Sequence, residues 1–187
     1  MRPIWLLDFD GVVNALSKRG GRAYWPDWRS ATIPDPDGGL TRAGTPLQLQ
    51  LLWAPEVIDT VRHALDAGVD VRWLSTWRAH TALLPEIIPG LPRMRWLDET
   101  ILAAVDESTL DPGKSMESGP WKVLVAKAYV PGGAPLLWTE DSLSIDLLSE
   151  SWRRARTAAT TLIRPRGATG LIQREVRTIR EWISDHT

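Results

Sequence analysis

The chain has 187 residues, 43% of them hydrophobic and 24% charged, with a formal net charge of −1. This balance excludes a disordered chain, a collagen-like fibre and a small disulfide scaffold, and the absence of cysteine excludes a thiolate metal site. No stretch approaches the ~20 consecutive apolar residues of a membrane span, and MRPIWLLDFD meets two acids too soon for a signal peptide, so one domain over residues 1–187 in a reducing cytoplasm is expected.

Ile4–Leu7 is a short apolar run ended by Asp8, and it reads as a buried strand. Residues 14–50 are punctuated by Gly20, Gly21, Pro26, Pro34, Pro36, Gly38, Gly39, Gly44 and Pro46, and they read as one long irregular loop. Pro55 opens a helix whose inner face carries Val57, Ile58, Val61, Ala64 and Leu65, with Gly68 as its stop. Val69–Leu74 reads as a second strand, Thr76–Ile88 as a helix broken at Pro89-Gly90, and Met94–Leu97 as a short third strand. Residues 106–120 read as loop, Trp121–Tyr129 as helix and Pro131-Gly-Gly as a turn. Leu136–Thr139 is the next strand, Leu143–Arg156 a helix, Ala158–Ile163 a strand and Gly170–Ile183 an amphipathic helix. Strands alternating with helices imply an α/β fold, a parallel sheet with helices on both faces. Ligands of such sheets sit beyond the carboxyl ends of the strands, so the residues after each strand are the ones to read.

The first strand runs into Asp8-Phe9-Asp10-Gly11. Two carboxylates two residues apart lie on one side of an extended chain and suit a hard cation, or a division of labour between nucleophile and proton carrier. A solvated turn with Asp as a helix cap is the plain alternative. The second strand ends in Ser75-Thr76-Trp77-Arg78, either a phosphate cradle or an ordinary helix cap. Arg78 suits contact with a substrate phosphate, or a solvated helix position. Lys122 opens a helix, where a cation opposes the helix dipole, so it either points at an anion or snorkels to solvent; Lys114 is its rival on the preceding loop. The fourth signal is Glu140-Asp141, again a second half of a cation site or a helix cap. In a parallel sheet all four converge on one edge, where so many acids require a compensating cation.

This order of motifs resembles the haloacid dehalogenase (HAD) superfamily of aspartate-nucleophile phosphohydrolases. Asp8-Phe9-Asp10-Gly11-Val12 is similar to its first motif, Ser75 to its second, Lys122 to its third and Glu140-Asp141 to its fourth. Trp5–Asn14, Trp73-Leu74-Ser75-Thr76-Trp77, Trp121-Lys122, Leu137–Asp141 and Leu162-Ile163…Gly170-Leu171…Trp182-Ile183 resemble more closely the HAD domain of "Swiss Army knife" RNA-repair proteins. The resemblance implies a three-layer Rossmann-like HAD fold with only a small lid or loop insert, residues 14–50. It implies Asp8 as nucleophile, Asp10 as acid and base, Ser75 and Lys122 on the phosphate, and Mg²⁺ on Asp8, the Asp10 carbonyl and Asp141. Gly11, Thr76 and Arg78 would line the substrate. Glu140 departs from the commoner Asp-Asp pair and would serve as a water-bridged ligand or as partner of Lys122.

The activity so implied is a Mg²⁺-dependent phosphatase acting on a phosphomonoester, a polynucleotide end or a small molecule such as a nucleotide, with nucleic acid repair as the implied role. The alternatives are a non-catalytic HAD-fold module that binds Mg²⁺, phosphate or nucleic acid, and a different reaction on the same nucleophile, phosphotransfer or dehalogenation; Asp10 disfavours the last. The partner implied is a phosphorylated substrate, with no membrane and no protein partner.

Two oddities stand outside these motifs. Residues 151–187 hold eight Arg and three acids, so they carry +5 and residues 1–150 carry −6. That charge either attracts phosphate polymers or lines the wet faces of two helices. There are 11 Trp against 2 Tyr and 1 Phe. Trp5, Trp73, Trp96, Trp138 and Trp182 fall in apolar runs and read as core. In residues 14–50, Lys18, Arg19, Arg22, Tyr24, Trp25, Trp28 and Arg29 interleave basic and aromatic residues, a pattern that stacks bases and holds phosphates, or merely pins a long loop to the core. His63, His80 and His186 lack metal-ligand spacing and read as ordinary.

Overall fold

The computed structural model describes residues 1–97 and 120–187. Its frame is a four-stranded sheet, β1 (Ile4–Leu7), β4 (Asp70–Trp73), β5 (Leu136–Thr139) and β6 (Thr160–Ile163), in the order β4-β1-β5-β6. All three pairings are parallel, and Leu7 lies beside both Trp73 and Thr139, which in turn lies beside Ile163. Every carboxyl end therefore opens on one rim, and Asp8, Ser75, Glu140 and Arg164 all emerge there.

The strands are short and apolar because both faces are covered. Alternation sends Trp5 and Leu7 to one side, where they pack with Val57, Ile58 and Val61 of α2 (Pro55–Asp66) and with Val176, Ile179 and Ile183 of α6 (Gln173–His186). Ile4 and Leu6 point to the other side, against Trp121, Val125 and Ala126 of α4 (Pro120–Tyr129). Trp152 of α5 (Leu143–Ala155) meets Trp138 edge-on at 6.3 Å on that same side. The result is three layers, helix–sheet–helix. α2 shows how the sequence sets its own limits: Pro55 occupies the first turn, where its missing N–H is not needed, and Gly68 ends it at φ +90.

The segment read as an irregular loop is ordered. It holds a five-residue helix, α1 (Lys18–Arg22), and an antiparallel ribbon of β2 (Arg29–Pro34) and β3 (Gln48–Trp53). The glycines and prolines that suggested a loop sit mostly in the connection between the two strands, while Ser-Ala-Thr-Ile and Gln-Leu-Gln-Leu carry a period-two alternation. Ala31, Ile33 and Leu49 turn this ribbon's inner face onto the core. Trp25 is buried and its indole N–H donates to the Leu171 carbonyl at 2.8 Å, and Trp28 packs on Gly21, so these two rings pin the segment to the core.

Three further expectations change. Thr76–Ile88 is not one helix: a 3₁₀ turn over Arg78–Leu83 passes into the single turn α3 (Leu84–Ile87), because Pro85 cannot donate into a continuing α-helical ladder. Met94–Leu97 makes only one parallel bridge, Trp96 beside Trp73, held by Trp73 N–H to the Arg95 carbonyl and Leu97 N–H to the Trp73 carbonyl, both 3.1 Å. The last helix begins at Gln173 rather than Gly170, which instead takes φ +61 in the turn before it. The loop expected over 106–120 falls, for 106–119, outside the described residues, as does Lys114. Among the described residues no helix is long and apolar enough to cross a membrane.

Candidate active site

The site forms where β1 and β5 end side by side. Asp8 N–H donates to the Thr139 carbonyl at 3.1 Å, extending the ladder one step and setting Asp8 beside Glu140. Its Oδ1 accepts from Phe9 N–H at 2.7 Å. Phe9 turns inward between Trp73 and Trp77, with ring centroids 5.9 and 4.9 Å away, and anchors the strand end. Lys122, in the first turn of α4, reaches across from the other layer. Its Nζ lies 2.8 Å from Asp8 Oδ2 and 2.6 Å from Glu140 Oε2, and all three side chains are buried.

Carboxylate oxygens of Asp8, Glu140 and Asp141 lie within 4.8 Å of one another. Asp141 fits because backbone on both sides of it lacks a side chain. A Cβ on Gly11, which takes φ +72, would fall 2.1 Å from Asp141 Oδ2, and one on Gly167 would fall 2.6 Å from it. Gly11 thus meets two demands, the left-handed turn and the close approach.

Asp10 faces elsewhere. Its Oδ1 accepts from Asn14 Nδ2 at 2.6 Å and its Oδ2 from the Trp77 indole N–H at 2.8 Å. Asn14 Oδ1 in turn accepts from Leu52 N–H at 2.8 Å, so one buried amide ties Asp10 to the ribbon. Asp10 lines a cleft of 760 Å³ between the ribbon's connection (Asp35, Pro36, Asp37) and the turn that follows β4 (Thr76, Trp77, Arg78). Trp96, expected in the core, is half-buried: it packs against the core from a segment that makes a single bridge to the sheet, and it also forms part of this wall. His80 pairs with Asp37 Oδ1 at 2.9 Å across the same cleft.

The electrostatics follow from crowding acids in a dry place. Burial, then the charge of Asp8, pushes the Glu140 carboxyl up to about 8, and the same two causes raise Asp141. Burial also raises Asp10, against the lowering effect of its two N–H donors. Burial pulls Lys122 down, but Asp8 and Glu140 more than offset it, so the ammonium titrates above its ordinary value. Two of these carboxyl groups, Asp8 and Glu140, thus pair with the buried ammonium.

The expected residues therefore fall into two groups. Asp8, Lys122, Glu140 and Asp141 converge, with Gly11 against them; Asp10, Thr76 and Arg78 line the adjoining cleft. Ser75 is buried at the end of the second strand, its Oγ accepting from Trp77 N–H at 3.4 Å. Arg78 adopts φ 45, the one positive value among the described residues other than glycine, and its guanidinium lies over the Trp121 ring at 5.7 Å. Glu140 is the Lys122 partner, one of the two roles expected for it. Sequence reasoning missed the positioning residues Asn14 and Trp77. A lone amide in the apolar run Val12-Val13-Asn14-Ala15 was the available signal for the first; an indole N–H directly beyond Ser75-Thr76 was the signal for the second. No known family model matches the chain, and no curated protein matches it.

Proposed function

We propose that the chain is a Mg²⁺-dependent phosphatase of the HAD type, acting through an aspartyl-phosphate on a phosphomonoester. One observation carries the reading: three carboxylates gathered within 4.8 Å around a buried lysine at the carboxyl rim of a parallel sheet, with a fourth carboxyl beside an open cleft. Oxygen-only donors and an excess of negative charge fit a hard divalent cation. Asp8 and Asp141, with the Asp10 carbonyl, would hold it, and when bound it would neutralise the equatorial oxygens of the transferring group.

The chain's own groups account for the rest. An Asp8 carboxylate oxygen attacks phosphorus, the bond to the leaving oxygen breaks, and protonated Asp10 supplies the proton that oxygen needs. Water then attacks the phosphorus of the acyl phosphate, Asp10 takes its proton, and inorganic phosphate leaves with Asp8 restored. Lys122 has three donors; Asp8 and Glu140 occupy two, which leaves one for a phosphate oxygen. Asn14 and Trp77 hold the Asp10 carboxyl by both its oxygens at the edge of the cleft, where it meets the leaving oxygen.

The test is hydrolysis of an aryl phosphate and of end-phosphorylated RNA and DNA with and without Mg²⁺. Activity that needs the cation and is lost in Asp8→Asn and Asp10→Asn supports the reading. Wild-type protein inert on every substrate, or Asp8→Asn protein at full activity, refutes it.

A further inference from the structure

A second cleft, of 300 Å³, opens on the β6 side of the same rim. Arg164 and Arg166 enter it from the turn after β6, Arg174 from the first turn of α6, and Tyr24 from the segment before the ribbon. Among the described residues Glu175 is the one acid in its wall, and it already accepts from Ile172 N–H at 2.9 Å, its place in the helix cap. Arg166 and Arg174 are exposed, and among the described residues neither has an ion-pair partner.

A short basic helix packs against the turn that carries Arg166. α1 docks on the turn after β6 so tightly that a Cβ on Gly20 would fall 2.3 Å from the Ala168 carbonyl oxygen. Lys18, Arg19 and Arg22 of that helix are exposed, in a segment more than 140 residues from Arg166 in the chain. The acid site is adjacent. Arg166 is followed directly by Gly167, on which a Cβ would fall 2.6 Å from Asp141 Oδ2, so the turn that carries the arginine runs directly past the acid site.

We propose that this arginine cleft is an anion subsite that holds a second phosphate of the substrate whose first phosphate reacts at Asp8. The inference rests on the phosphatase reading for what happens at Asp8, and on the cleft's own charge for the second group. Guanidinium forks take phosphate oxygens in pairs, and a basic rim beside an acidic centre orients a molecule with a phosphate at each end. A lone phosphomonoester gains nothing from it. A nucleoside bisphosphate or the diester next to a strand end gains the contact.

The experiment compares wild type with Arg166→Ala/Arg174→Ala on p-nitrophenyl phosphate, adenosine 3′,5′-bisphosphate and a 5′-phosphorylated dinucleotide. The expected result is a loss of roughly tenfold or more in kcat/KM on either or both of the last two, tenfold being the value for one charge-assisted hydrogen bond, with p-nitrophenyl phosphate within about twofold. Loss on both arms supports a general phosphate subsite; loss on one assigns it to a monoester or a diester. Equal loss on all three substrates, or none, overturns the inference. A second measurement separates it from the phosphatase reading: calorimetric binding of adenosine 3′,5′-bisphosphate to metal-free protein in EDTA. Wild-type binding that weakens with salt and drops roughly tenfold in the double variant supports the subsite even if no substrate is turned over. Binding that is absent in wild type, or unchanged in the variant, overturns it even if the enzyme is active.

Discussion

Lys122→Met tests the charge balance of the site directly. Methionine keeps the length and apolar stem of lysine and removes the ammonium that lies 2.8 Å from Asp8 and 2.6 Å from Glu140. The side chains concerned are 6%, 6% and 2% exposed, so water cannot replace the lost partner. Removing one member of a buried pair costs about 3–5 kcal/mol. Glu140, pushed up to about 8, escapes part of that cost by taking a proton, which places the expected loss near the lower end, about 3 kcal/mol. For a chain of this size that is a fall in Tm of roughly 6–12 °C in EDTA. Two further arms make the result specific. Mg²⁺ should raise the Tm of Lys122→Met more than that of wild type, because a cation replaces a cation. Lys122→Met/Glu140→Gln should be less destabilised than the two single losses combined, since the second change removes the charge that the first one strands. A Lys122→Met protein within about 1 °C of wild type in EDTA, or strictly additive single and double variants, would refute the argument that the acids depend on this ammonium.

Gly11→Ala should abolish Mg²⁺-dependent activity and lower stability by about 1–2 kcal/mol, because its Cβ would meet Asp141 2.1 Å away on a backbone at φ +72; metal titration and thermal melts check both. In pH, Glu140, Asp141 and Asp10 all titrate above their ordinary values, so the folded state binds more protons than the unfolded one and metal-free stability falls as pH rises, for Glu140 between about 4.5 and about 8. Melts in EDTA should therefore show a higher Tm at pH 5.5 than at pH 8, and saturating Mg²⁺ should flatten that slope; a metal-free Tm that rises across this window would contradict the assignment. Asn14→Ala should slow hydrolysis of an alkyl phosphate by on the order of 10²-fold, with a much smaller effect on p-nitrophenyl phosphate, whose leaving oxygen needs no proton.

The sheet and its acidic edge were legible because a buried parallel strand leaves a plain mark: four or so apolar residues ended by a polar one. Ile4–Leu7 then Asp8, and Leu136–Thr139 then Glu140, each show it, and parallel pairing alone brings their ends together. The ribbon was not legible because its turn chemistry outweighed its alternation. The glycines and prolines of residues 34–46 mark where the strands end, and nothing local says that Ser30–Pro34 and Gln48–Leu52 face one another. Tertiary pairing decides that.

What sequence order hides most is the wiring between separate segments. Asn14 serves Asp10 four residues before it, a spacing any reader can inspect, but its other bond goes to Leu52, and only that second bond fixes which way the amide points. With both ends held, Asn14 cannot turn without breaking a buried backbone hydrogen bond, so the carboxyl of Asp10 stays aimed at the cleft. The ribbon is thus more than a cover over the core. By its Leu52 N–H it sets the direction of the acid, and by Asp35 and Asp37 it walls the space into which that acid points, so a change in the ribbon alters orientation and admission together.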